Sequence, residues 1–147
     1  MKIIEVKENK KKYIELLILA DEQEDMIDKY IDKGTMFILY DNGVKSECII
    51  TDEGNGVVEI KNIATLPEYQ NKGYGKYLIK FIEEKYKHKF NILRVGTGDS
   101  ILTIPFYKKC GFKESYRIKN FFVDNYNNPI FECGVQLIDM VYLEKTI

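Results

Sequence analysis

The chain has no tryptophan, one histidine, three prolines and three cysteines in 147 residues. Each scarcity removes a class of protein. Cys48, Cys110 and Cys133 are scattered and odd in number, so no disulfide framework is expected, and the pattern suits a reducing compartment such as the cytoplasm. No C-x-x-C pair occurs and His88 stands alone, which argues against a zinc site and against a metal cofactor generally. No run approaches 18 apolar residues, and the opening "MKIIEVKENK" lacks the apolar stretch of a signal peptide, so no membrane span is expected. Charge of one sign is also lacking: 22 basic residues face 23 acidic ones, for a net charge of −1. Nothing in that balance draws nucleic acid or an anionic membrane to the chain as a whole.

What is present is an apolar fraction of 45%, rich in tyrosine and phenylalanine. The length predicts one domain, 1–147, that buries roughly two-thirds of its unfolded surface. Residues 2–7 alternate as a first strand. "KKKYIELLILA" carries a helical face through Tyr13, Leu16, Leu17 and Ala20. "DEQE" reads as a second helix start, with Asp21 as cap and Glu24 at the third helical position, continuing through Met26, Ile27, Tyr30 and Ile31 to a stop at Gly34. Asp41-Asn42-Gly43 between "TMFILY" and "VKSECIIT" is a hairpin signal, and "DEGNG" is a second turn. "VVEIKNIAT", 57–65, is the third strand; strict alternation puts Glu59, Lys61, Ile63 and Thr65 on one face. A helix from Tyr74 has Leu78, Phe81 and Ile82 inward. A strand over 91–97, a short helix starting near Thr103 or Ile104 because of Pro105, and two late strands over roughly 113–123 and 134–143 complete the chain. The order is mixed α/β (α+β), mostly antiparallel, with one strand–helix–strand crossover in the middle.

The crossover carries the most informative stretch, "LPEYQNKGYG", Leu66 to Gly75. A strand that runs through glycines into a helix offers unpaired N–H groups and a partial positive charge to an anion, with Lys72 and Lys76 at the rim. Two glycines alone are more at home in a tight turn that binds nothing. The P-loop and the dinucleotide fingerprint both fail here: the spacing is wrong for the first, and Leu78 stands where the second needs glycine.

"NIATLPEYQNKGYGKYLI" resembles the acyl-CoA motif of the GNAT superfamily of N-acetyltransferases: apolar, Ala, Val, x, Pro, two residues, Gln or Arg, two residues, Gly, x, Gly or Ala. The match falls on Ile63, Ala64, Thr65, Pro67, Gln70, Gly73 and Gly75. Downstream, "PFYKKCGF" resembles a second family signature on Tyr107, Gly111 and Phe112. The resemblance implies a mostly antiparallel central sheet flanked by helices, with a splayed strand pair at the acyl-CoA site. It implies acetyl-CoA as cosubstrate, with Gln70, Asn71, Lys72, Gly73, Tyr74, Gly75 and Lys76 holding the pyrophosphate and Ile63, Ala64 and Thr65 pairing with pantetheine. It implies transfer to a primary amine, on a small molecule or a peptide, by direct attack in a ternary complex.

Such chemistry needs a neutral amine. An alkyl amine with a pKa near 10 is about one part in a thousand neutral at pH 7, a penalty of roughly 4 kcal/mol. In histone-type members a glutamate on this strand removes the proton, and Glu59 matches its position; a glutamate paired with Lys61 is the plainer reading. Tyr107 matches the tyrosine that protonates the departing thiolate; a core aromatic is the alternative. The family often has asparagine seven residues before that tyrosine. Here Ser100 stands there, either a cofactor contact or a turn residue. Glu22, Glu24, Asp25, Glu132 and Asp139 would make an acidic mouth or a scatter of solvated acids, and Tyr30, Phe121, Phe122, Tyr126 and Phe131 would line a pocket or fill a core. A non-catalytic acyl-CoA sensor is the competing function, and an exposed edge strand would permit a homodimer.

Overall fold

A computed structural model describes all residues, Met1–Ile147. Nine strands and five α-helices follow in the order β1 (Lys2–Val6), α1 (Ile14–Ala20), α2 (Glu24–Asp28), β2 (Thr35–Tyr40), β3 (Val44–Gly54), β4 (Val57–Thr65), α3 (Tyr74–Tyr86), β5 (Ile92–Gly98), α4 (Ile104–Lys109), β6 (Lys113–Ile118), α5 (Phe121–Asn125), β7 (Phe131–Glu132), β8 (Val135–Gln136) and β9 (Met140–Thr146). Seven strands form one sheet in the order β1-β2-β3-β4-β5-β9-β6, and β7 with β8 makes a separate hairpin. Every neighbour pair in the large sheet is antiparallel except β4 with β5. No helix is long and apolar enough to cross a membrane.

Two apolar clusters sandwich the sheet. On one face α3 and α4 bring Leu78, Ile79, Ile82 and Tyr107 onto Cys48, Ile50, Val58, Ile60, Leu93, Val95, Val141 and Leu143. On the other, Leu17 of α1 and Ile27 of α2 join Tyr30, Ile31, Met36, Ile38 and Ile49. Each fully buried Leu or Ile contributes about 1.5–3 kcal/mol, so the central strands are gripped from both sides. The first turn forms as its sequence predicts, with Asn42 and Gly43 at φ of 54° and 103°.

Four expectations need correction. Ala20 is exposed, because the helix ends there and the chain turns away. Asp21 does not cap α2. It lies in extended backbone after α1, Gln23 occupies the cap position, and the Asp21 carboxylate accepts hydrogen bonds from Tyr30 (2.9 Å) and Tyr126 (2.6 Å) instead. The late strands are shorter than alternation suggests: residues 119–139 leave the sheet as α5 and the β7–β8 hairpin. Leu137 holds this excursion down, seated where Gly98 leaves room; a Cβ at Gly98 would come within 2.6 Å of it.

The fourth correction concerns the face of Glu59. The β3–β4 register shifts between Ile49 and Ile50, so that Ile49 opposes Asn62 and Ile50 opposes Ile60. Lys61 is the extra residue of a β-bulge, which resets the alternation. Glu59 therefore shares a face with Asn62 and Ala64, toward α1 and α2, while Ile63 and Thr65 face α3.

Candidate active site

The site begins where two parallel strands part. β4 and β5 pair from Val57 with Ile92 to Ile60 with Val95, and no further. Beyond that point β4 stays with β3 as far as Thr65, and β5 stays with β9 as far as Gly98. The result is a wedge-shaped gap in mid-sheet whose inner edges, from Lys61 and from Gly96 onward, have no strand between them. This is the splayed pair that the resemblance implies.

The Gln70 to Lys76 loop closes one end of the gap. Gln70 Nε2 donates to the Thr65 carbonyl (3.1 Å), tying loop to strand. Asn71 and Gly73 both take left-handed backbone, at φ of 61° and 90°, and α3 starts with no side-chain cap. The first intrahelical bond is Tyr77 N–H to the Gly73 carbonyl (3.0 Å), which leaves the amides of Tyr74, Gly75 and Lys76 without helical acceptors. No side chain fills the space where a Gly73 Cβ would stand. An uncapped helix start with open space before it fits a phosphate group. The side chains of Lys72 and Lys76 are exposed at the rim, whereas the Tyr74 hydroxyl donates to Asp41 (2.7 Å), which leaves only the Tyr74 backbone for a ligand.

Tyr107 of α4 lies in the apolar cluster that α3 and α4 pack onto the sheet. It is 6% exposed, with Phe106 and Phe112 edge-on at 5.2 and 5.7 Å between ring centroids. Burial, then the charges of Cys110, Glu132 and Glu47, push its phenol well above the ordinary value, so it keeps its proton at neutral pH. Ser100 is a turn residue in this structure: its Oγ accepts from Leu102 N–H (3.1 Å) and its carbonyl from Ile104 N–H (3.1 Å). Its hydroxyl proton remains free to be donated.

Glu59 is 4% exposed and paired with Lys61 at 3.0 Å and Arg94 at 3.7 Å. Burial raises its pKa, and the two cations recover only part of that shift. Most of the expected acidic mouth is engaged elsewhere: Glu24 with Lys11, Asp25 with Gln23, and Asp139 with the Asn120 amide. Glu132 differs, with a buried Oε2 that has no partner. Tyr30 and Tyr126 anchor Asp21, while Phe131 is largely exposed. Two residues that sequence reasoning did not single out also face this region, Glu47 and Asn62. The signal was faint: Glu47 lies within the continuous buried run of β3, and Asn62 is a buried polar residue between half-buried Lys61 and Ile63 on β4.

These features have counterparts in known proteins. The acetyltransferase (GNAT) domain model matches residues 32–114. Over 132 residues the chain is 35% identical to the uncharacterized N-acetyltransferase YvbK of Bacillus subtilis, spanning 88% of this chain and 85% of that one. The fold superposes on a GNAT family acetyltransferase from Elizabethkingia anophelis with acetyl-CoA bound, at a TM-score of 0.93 and 34% identity over 99% of this chain and 97% of that one. A Bacillus subtilis acetyltransferase in complex with CoA gives a TM-score of 0.89 at 32% identity over 99% and 98% of the two chains. A splayed strand pair, an uncapped helix at its mouth and matches of this extent lead to one conclusion: the chain belongs to the GNAT family of acetyltransferases.

Proposed function

We propose that the chain moves an acetyl group from acetyl-CoA to a primary amine by direct attack within a ternary complex. The observation that carries this reading is the gap between β4 and β5, with the uncapped start of α3 at one end. The amides of Gln70 to Lys76 would hold the pyrophosphate, the strand end at Ile63, Ala64 and Thr65 would pair with the pantetheine arm, and Ser100 would donate its remaining hydroxyl proton to it. Acetyl-CoA supplies an activated acyl group. The chain supplies orientation and proton transfer. Tyr107 donates a proton to the departing thiolate, and the raised phenol pKa suits that role. Glu59, with a raised pKa of its own, acts as a base through water. The bound acetyl-CoA in the Elizabethkingia relative and the CoA in the Bacillus one support the donor assignment.

Thermal denaturation with acetyl-CoA tests the donor. At a hundredfold excess over its dissociation constant, acetyl-CoA is expected to stabilise the chain by about 2.7 kcal/mol, and free thiol should then appear on adding primary amines. No stabilisation would overturn the reading. Stabilisation without thiol release from any amine would make the chain an acyl-CoA-binding sensor.

A further inference from the structure

Glu47 and Asn62, buried on the α1 and α2 face of the sheet, have side-chain acceptors without a hydrogen-bond partner, both oxygens of Glu47 and Asn62 Oδ1, and half-buried Glu132 of the β7–β8 hairpin has one more, Oε2. Glu47 is 0% exposed. It stands on β3 opposite Ala64, on the same face as Asn62 and Glu59. Its carboxyl raises the pKa of both the Tyr30 and the Tyr107 hydroxyls. The carboxyl lies one strand from the gap, opposite the part of β4 that has already parted from β5. Glu132 also acts on Tyr107, from the β7–β8 hairpin.

The chemistry of the three groups is one-sided. All accept hydrogen bonds. The Asn62 Nδ2 is already committed to the Leu17 carbonyl and the Tyr30 hydroxyl, both at 3.0 Å, which fixes its oxygen outward from that pair. No lysine or arginine offsets them: Lys61 pairs with Glu53 and Glu59, and Arg94 with Glu59 and Glu144. A buried carboxyl with no cation, and no donor beside it but the Ala64 amide, is costly to keep. A ligand that matches the site must bring positive charge and N–H donors, and an ammonium has one charge and three donors.

We propose that Glu47, Asn62 and Glu132 form the ammonium pocket of the acceptor site, that the acceptor is a primary alkylammonium entering as the cation, and that Glu47 takes its first proton. This rests on the acetyl-transfer reading above. The proton balance closes. R–NH3+ gives one proton to the Glu47 carboxylate and becomes R–NH2. The nitrogen lone pair forms the C–N bond as the thioester C–S bond breaks. The second nitrogen proton goes to Glu59 through water, Tyr107 gives its proton to the thiolate, and the proton on Glu59 restores the phenol. Glu47 keeps the proton it takes and so returns to the neutral acid of the empty site; the one proton lost per turnover is the one expelled when the ammonium binds.

The groups facing Glu47 set its response to pH. They are Tyr30 from the α2 side, Asn62 and the Ala64 amide from β4 and Tyr107 from α4, with Ile38 opposite it on β2, and Glu132 acts on the same Tyr107 from the hairpin. None is a cation, and burial holds the empty site's carboxyl well above the ordinary range. An arriving ammonium must therefore expel a proton to bind.

The test is calorimetric titration of the CoA-loaded chain with butylamine, 1,4-diaminobutane and alanine amide, between pH 6 and 9, in buffers of different ionisation heat, with butanol as the uncharged control. Amines should bind with proton release and butanol should not bind. Glu47→Gln and Glu47→Met should each weaken amine binding at least tenfold and abolish the linked proton release, with Glu132→Gln weaker in effect, while acetyl-CoA stabilisation stays at the wild-type level. Equal amine binding by wild type and both Glu47 variants, binding of butanol as tight as that of butylamine, or no binding of any of the three amines overturns the pocket. Amine binding that depends on Glu47 without acetyl transfer would instead overturn the enzymatic reading and leave the pocket standing. Wild-type transfer rates in Glu47→Gln would do the reverse.

Discussion

Tyr107→Phe is expected to lower kcat for acetyl transfer by about 10²–10⁴-fold, the usual worth of a positioned general acid. The substitution removes one oxygen and leaves the ring packed against Phe106 and Phe112. The core around α4 is therefore expected to be undisturbed, and acetyl-CoA binding should be retained. The loss should fall on kcat rather than on the KM of either substrate, because the phenol acts on charge that develops only as the C–S bond breaks. Steady-state kinetics with acetyl-CoA and a good amine, beside thermal melts of both proteins, make the comparison. If the variant keeps the wild-type kcat, the thiolate departs without help from Tyr107, and this residue is a core aromatic.

The proposed donor half of the site was legible in the sequence because its features belong to the backbone. Glycines, a proline and a helix start leave a mark in the chain at fixed spacing. Gly73 with positive φ, the uncapped α3 and the Gln70 contact to Thr65 all fall where the motif puts them. The hairpins were legible for the same reason, since Asn42 with Gly43 and Asn55 with Gly56 favour left-handed backbone.

The acceptor half was not legible, for two physical reasons. The bulge at Lys61 is a one-residue event that no alternation pattern announces, yet it decides which face Glu59 serves. The 119–139 excursion is held by long-range contacts between residues about a hundred positions apart, Tyr126 with Asp21 and Asn127 with Gln23. Such contacts fix the excursion that carries Glu132, while Asp25 and Asp139 are engaged with neighbours. Composition cannot tell these acids apart. Glu47 left a faint mark, as the charged residue within the buried run of β3, beside Lys45 and Ser46 at its start.

Glu47→Met is expected to make the folded chain more stable than the wild type, and increasingly so as the pH rises. Methionine has nearly the shape of glutamate and no polar atom to strand, so the change removes an unpartnered buried group without opening a cavity. At pH values where the acid is neutral in both states, the gain should be about 1–3 kcal/mol. The pH dependence follows from the raised pKa. Burial holds the folded carboxyl well above its ordinary value, while the unfolded one titrates near 4.3. Between those limits the folded wild type binds more protons than the unfolded chain, so this group's contribution is complete below the unfolded pKa and is lost as pH rises through the folded one. The gap between variant and wild type should therefore widen by up to about 1.4 kcal/mol for each pH unit across that window. Glu59 and Asp21, whose pKa values are also raised by burial, are common to both proteins and cancel in the difference. Denaturant unfolding at pH 5 and pH 8 measures it, and a gap of equal size at both would mean that Glu47 is not a buried, unpaired acid. A carboxyl kept at such a cost in the empty protein is what a pocket built for a cation requires, since a methionine side chain in its place would restore the stability and remove the only buried acid whose two oxygens are both without a partner.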